Sequence, residues 1–246
     1  MHPPPTAGPP TTYAAATDRL AARIAHAHAL AGAGGAGRLR VLLRDSADSR
    51  IALGAVRLLG ADVLAPEAME RTAADAQTAD LIGRAYALFP GRPDDALWTD
   101  SDTFAVTAWR DWAAARLLAR HGWDLLPHPQ PATLPADGLS WQPWSARMAQ
   151  LAPLALPGLD SPVHRAAAAR RTDLARGATR AVLRRDHATA AALGRWLAVL
   201  PAEPGPDRRE FDPAPLLDHL RLFGDVGARA GLDVRIGLRL LDLVRR

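Results

Sequence analysis

The stretch SPVHRAAAARRTDLARGATRAVLRRDHATAAALGRWLAVL (Ser161–Leu200) decides the fold class. Ser161-Pro162 is a helix start: a hydroxyl cap, then a proline at a position that needs no N–H. Alanine, leucine and arginine follow, all strong helix formers. Thr172-Asp173 offers a second cap. The stretch therefore reads as a short helix, then a hairpin of Leu174–Arg185, a turn at Asp186-His187, and Thr189–Leu200, stopped by Pro201. Trp196 lies one helical turn from Ala192 and from Leu200, which puts it on the inner face opposite Leu174 and Leu183, with Ala178 and Ala181 leaving room for its ring.

The offsets of Leu183, Ala192, Trp196, Leu200 and Pro204 resemble one tetratricopeptide unit. Thr179 and Arg180 replace the Leu-Gly pair of that pattern and no second copy follows, so the chain is not assigned to the family.

Helical signals continue outward in both directions. Between Thr12 and Ala31, apolar positions Tyr13, Ala16, Leu20, Ile24, Ala27 and Ala31 recur at spacings of three and four. Ser49 to Leu59 reads as a helix stopped by Gly60, Pro66 opens one that can run to Phe89, and Thr103 to His121 forms another, stopped by Gly122. That last helix carries Phe104, Ala108, Trp112, Ala115 and Ala119 as its inward stripe. Asp212-Pro213 caps a helix to Phe223. Two segments admit a strand: 38–44, and 232–240, where Leu232, Val234, Ile236, Leu238 and Leu240 alternate with polar residues or glycine. For the second, helix is the preferred reading. The expected fold is all-α: an irregular helical bundle or short array of helical hairpins. A disordered Pro-rich tail (1–11) precedes a helical half (12–122), a Pro/Trp-rich loop (123–160) and a second helical half (161–246), most simply one composite domain. The loop has room for one short helix near Ser145–Leu151.

Charge is the asymmetric feature. Ser161–Leu200 holds eight arginines against two aspartates, a net +6, while all 246 residues come to +4. A concentrated charge attracts an anionic partner where a diluted one does not. All thirty basic residues are arginine, which together with the abundant alanine reflects GC-rich codons, as in a GC-rich bacterium. Arg176, Arg180 and Arg184 stand at i, i+4 and i+8 and share one helix face, with Arg165, Arg171 and Arg185 close by. Guanidinium forks suit carboxylates and phosphates. Trp141 and Trp144 sit in the Pro-rich loop, away from any helical period, and complete the candidate partner-binding set.

Several chemistries lack their residues. The chain has no cysteine, which excludes disulfides and thiol catalysis. GAGGAG (Gly32–Gly37) lacks the ending of a phosphate loop, and GLSWQ (Gly138–Gln142) lacks the second glycine of a nucleophile elbow. His26 and His28 point to different sides of a helix, and no zinc-type spacing occurs. Asp94, Asp95, Asp100, Asp102 and Asp111 gather around Trp98, Trp109 and Trp112; helix-start acids explain them better than a cation site. No catalytic residue, metal ligand or cofactor is expected. The N-terminus lacks the layout of a signal peptide and no stretch is long enough to span a membrane, so a cytoplasmic protein without membrane contact is expected. The expected function is a helical binding or accessory protein that contacts an acidic protein or peptide through its arginine face. Two alternatives use the same residues differently: nucleic-acid binding along the stripe, or a cofactor-independent enzyme with an Arg/Trp-lined pocket for an anionic substrate.

Overall fold

The computed structural model describes residues 13–29, 50–90, 101–126, 130–132, 134, 138–201, 211–223 and 226–244, and these form helices and turns without a strand among them. The elements are α1 (Tyr13–Ala29), α2 (Arg50–Leu59), a 3-10 turn (Gly60–Leu64), α3 (Ala65–Glu70), α4 (Ala76–Leu88), α5 (Ser101–Arg120), α6 (Trp141–Gln150), a second 3-10 turn (Ala152–Leu154), α7 (Pro162–Ala169), α8 (Arg171–Leu183), α9 (His187–Val199), α10 (Pro213–Leu222) and α11 (Ala228–Val244). The protein is all-α. The Pro-rich tail, Gly32–Gly37, the segment 38–44 and Asp94 to Asp100 lie outside the described residues.

Local signals place most boundaries. Gly60 and Gly122 take positive φ, 59° and 86°, where a Cβ would be strained. Asp186 and Asp212 cap α9 and α10 by accepting the N–H of Thr189 and Ala214. The helix expected from Pro66 to Phe89 is instead two. Arg71 adopts a left-handed φ of 54° and closes α3, and Asp75 then caps α4 by accepting the N–H of Gln77 and Thr78 at 3.0 Å each. The short polar side chains between them offer the backbone alternatives to helix, which the apolar period alone does not register.

The Pro-rich segment is largely part of the core. α6 begins four residues before the expected helix, and every side chain from Leu151 to Leu156 is buried. The tight 3-10 bonds Leu154 N–H to Leu151 O and Ala155 N–H to Ala152 O satisfy backbone groups that burial removes from water. In α5 the burial falls on Trp109, Trp112, Leu117 and Leu118, whereas Ala119 of the expected stripe is exposed.

Helix α9 is central: every residue from Ala190 to Ala198 is buried, with α6, α8, α10 and α11 around it. Glycines permit the closest approaches. A Cβ on Gly177 of α8 would stand 2.5 Å from the Cβ of Ser145 in α6, and one on Gly194 would stand 2.9 Å from Leu217 of α10. Trp196 is fully buried as expected, and donates its indole N–H to Met148 O at 2.8 Å. Leu174 is buried too, but Leu183 is 80 % exposed and does not face Trp196. This removes a core position from the tetratricopeptide-like offsets. The segment 232–240 is helical, within α11. Leu232, Val234, Ile236 and Leu240 are buried and Leu238 partly so, because α1, α9 and α10 cover the helix on several sides; Asp233 and Gly237 between them also face α9. One core cluster runs through α1–α5 and α6–α11 alike.

Candidate functional site

The structure divides the arginines into two populations. The first is consumed internally. Arg195 on α9 has no exposed surface; its guanidinium lies 2.7 Å from Asp62 on the first 3-10 turn and 2.8 Å from Asp233 on α11, and its Nε–H donates to Ala155 O at 3.1 Å. Burial alone would lower the Arg195 pKa, and the two carboxylates outweigh it and raise it. Asp233 is itself pushed up to about 6 by burial, against the pull of Arg195. Arg57 bonds Asp111 at 2.7 Å and Phe89 O at 2.8 Å, with its guanidinium 4.3 Å from the centre of the Tyr86 ring. Asp111 is therefore a buried counter-ion, neither a helix-start acid nor a cation ligand.

Two further arginines of the basic segment belong to this internal group. Arg171, expected on the docking surface, is buried and donates to Leu197 O and Leu200 O at the C-terminal end of α9. Those carbonyls have no helical N–H to accept from, and a cation there also meets the negative end of the helix dipole. Arg170 bonds Asp173 at 2.9 Å and Leu139 O at 3.1 Å, and lies 4.3 Å over the Trp144 ring. Trp144 is 2 % exposed and Trp141 is half-buried. Trp144 is thus part of the core, beneath Arg170, while Trp141 keeps part of its surface open at the start of α6.

The second population faces outward. Arg176 is 61 % exposed, with Asp173 at a loose 3.6 Å. Arg180, Arg184 and Arg185 are exposed and have no acidic partner among the described residues. Arg165, 3.8 Å from the equally exposed Asp160, lies apart from them at the start of α7. Of the six arginines expected at the surface, α8 and the turn after it thus bring together Arg176, Arg180, Arg184 and Arg185. The Arg195–Asp62–Asp233 cluster had no sequence signal, because its members stand far apart in the chain with no spacing rule to join them.

A cleft of about 810 Å³ opens elsewhere, between Met69–Arg71, Leu156–Asp160, α7 and the C-terminal ends of α9 and α11. Its polar lining balances in sign: Glu70 and Asp160 against Arg71 and Arg165. His164 borders it. Because Leu154 O can only accept, the His164 Nε2–H donates to it at 3.1 Å, and Nδ1 accepts the Ser161 hydroxyl at 2.9 Å. Burial lowers the His164 pKa and keeps the ring neutral. Both ring nitrogens are thus occupied, and Ser161 is 1 % exposed, so the pair fastens α7 to the second 3-10 turn instead of presenting a nucleophile. Among the described residues no group of three or more His, Asp or Glu side chains is placed to hold a metal ion, and no helix is long and apolar enough to cross a membrane. No family model matches the chain, and no curated protein or solved structure matches it significantly.

Proposed function

We propose that the chain is a binding or accessory protein that docks an acidic protein or peptide segment on the arginine face of α8. The observation that supports this is the unequal use of arginine. Acids and carbonyls satisfy Arg57, Arg170, Arg171 and Arg195, while Arg180, Arg184 and Arg185 remain exposed without an acidic partner among the described residues. Arg180 and Arg184 rise one turn apart, about 6 Å along the axis, which matches carboxylates four apart on a partner helix. A nucleic acid fits less well. Asp173 and Asp186 lie beside the arginines of α8 and its turn, and a phosphate backbone would meet them as repulsion. The cleft supports the enzyme reading less, since its polar groups balance in charge and its histidine is fully bonded.

The test titrates a fluorescent glutamate-rich peptide and a short DNA duplex against the protein and against the triple variant Arg176→Gln, Arg180→Gln, Arg184→Gln, at low and near-physiological salt. The peptide should bind the parent protein and lose about tenfold on the variant, as expected from three exposed contacts at ~0.5 kcal/mol each. Tighter binding of the duplex, or peptide binding indifferent to the three substitutions, overturns the reading.

A further inference from the structure

Three large apolar side chains stand out from the surface. Leu183, Leu222 and Phe223 are 80, 76 and 50 % exposed, while the other exposed large hydrophobics among the described residues reach 44 % at most. All three lie at one end of the helical assembly. Leu183 is the last residue of α8, and the turn Arg184–Asp186 joins it to α9. The first residue of α9, His187, has its ring 5.0 Å from that of Phe223, which directly follows α10; His219, one turn earlier on α10, approaches the same ring at 5.1 Å. The two imidazoles lie tilted against the phenyl ring and leave half of it exposed. Arg180, Arg184, Arg185 and Arg221 occupy the same end. Single exposed leucines are ordinary. Three such side chains at the same end of the assembly as the exposed Arg180, Arg184 and Arg185 mark a contact surface.

We infer that the docking segment is an amphipathic acidic helix, with apolar side chains seated on Leu183, Leu222 and Phe223 and carboxylates meeting Arg180, Arg184 and Arg185. This rests on the reading that the arginine face docks an acidic segment, and adds the source of affinity. Exposed forks orient a partner but hold it weakly, whereas apolar area removed from water supplies the larger share. An anionic lipid surface would also combine basic and apolar contacts. Asp186 and Asp218, both exposed at this end, would face it unfavourably, and two imidazoles already cover part of the phenyl ring. A peptide can place its carboxylates between those acids.

The experiment compares three probes: an all-glutamate peptide, a peptide of equal charge with leucines at helical spacings of three and four, and vesicles of phosphatidylcholine and phosphatidylglycerol. Each is titrated against the parent protein and against Leu183→Ser/Phe223→Ser. The amphipathic peptide should bind the parent about tenfold tighter than the all-glutamate one, ~1.4 kcal/mol. The double variant should abolish that gain and leave all-glutamate binding unchanged. Equal affinity of the two peptides for the parent overturns this inference while the arginine reading stands; failure of both peptides to bind overturns both. Vesicle binding tighter than peptide binding overturns it in favour of a membrane, and a dimer that the double variant dissociates overturns it in favour of a second copy. Circular dichroism checks each fold, and Leu183→Ser/Leu222→Ser replaces the double variant if the loss of Phe223 loosens α10.

Discussion

Glu67 gives the sharpest quantitative test of the fold. It sits in the first turn of α3, 1 % exposed, and its Oε2 has no hydrogen-bond partner. Burial raises its pKa from 4.5 to about 7; its own backbone N–H opposes this, and Asp75 and Glu70 add to it. The folded chain therefore keeps a proton that the unfolded chain releases, so the contribution of Glu67 to stability is greatest at low pH and falls as pH rises from about 4.5 to about 7. The full interval corresponds to ~3 kcal/mol at 1.36 kcal/mol per pKa unit. Glu67→Gln carries the shape of the protonated acid at every pH. It should match the parent at pH near 4 and exceed it by ~3 kcal/mol at pH near 9. Urea unfolding followed by tryptophan fluorescence at several pH values measures the difference directly, and ionisations elsewhere cancel between the two proteins. A difference that stays constant across that range would refute the reasoning, because it would mean that Glu67 is ionised and compensated in the folded state.

Other expectations follow from the packing. Trp196→Ala should cost about 3–5 kcal/mol, since it empties a fully enclosed site and orphans Met148 O, whereas Trp141→Ala at a half-buried site should lower the melting temperature far less; comparable melting curves would contradict this. Arg195→Met strands the carboxylates of Asp62 and Asp233 without their counter-ion, an expected loss of about 3–5 kcal/mol that shrinks when both become asparagine. Thermal melts of the single and triple variants would expose the error if the asparagines brought no recovery. In limited proteolysis, the first cut within 123–160 should fall before Ser140, because Leu151 to Leu156 are buried; early cleavage among those six residues would show that they are not held in the core.

Helix content and most helix ends were legible in the chain itself because they are local. A cap such as Asp186 or Asp212 satisfies N–H groups two or three residues away, and Gly60 or Gly122 stops a helix through its own φ. The burial of Trp196 was legible too, from the helical period between Ala192 and Leu200. Where the period was asked to do more, it failed for a physical reason: it says which residues share a face, not what comes to cover that face. Leu183 holds an apolar position yet faces solvent, because among the described residues none packs over it at the end of α8. Arg171 sits within a basic run yet is buried, because the carbonyls at the end of α9 arrive beside it. Alternation in 232–240 resembled a strand because α1, α9 and α10 cover α11 on several sides, so apolar residues are buried around most of its circumference and Arg235 is left exposed. Arg195, Asp62 and Asp233 meet only after three separate elements converge, and a buried charge finds its partner through the fold rather than through spacing. The sequence by itself set the number of positive charges and the helices that carry them. Tertiary structure decided which guanidiniums were spent inside and which were left to face a partner, since that depends on the acids and carbonyls that packing brings within reach.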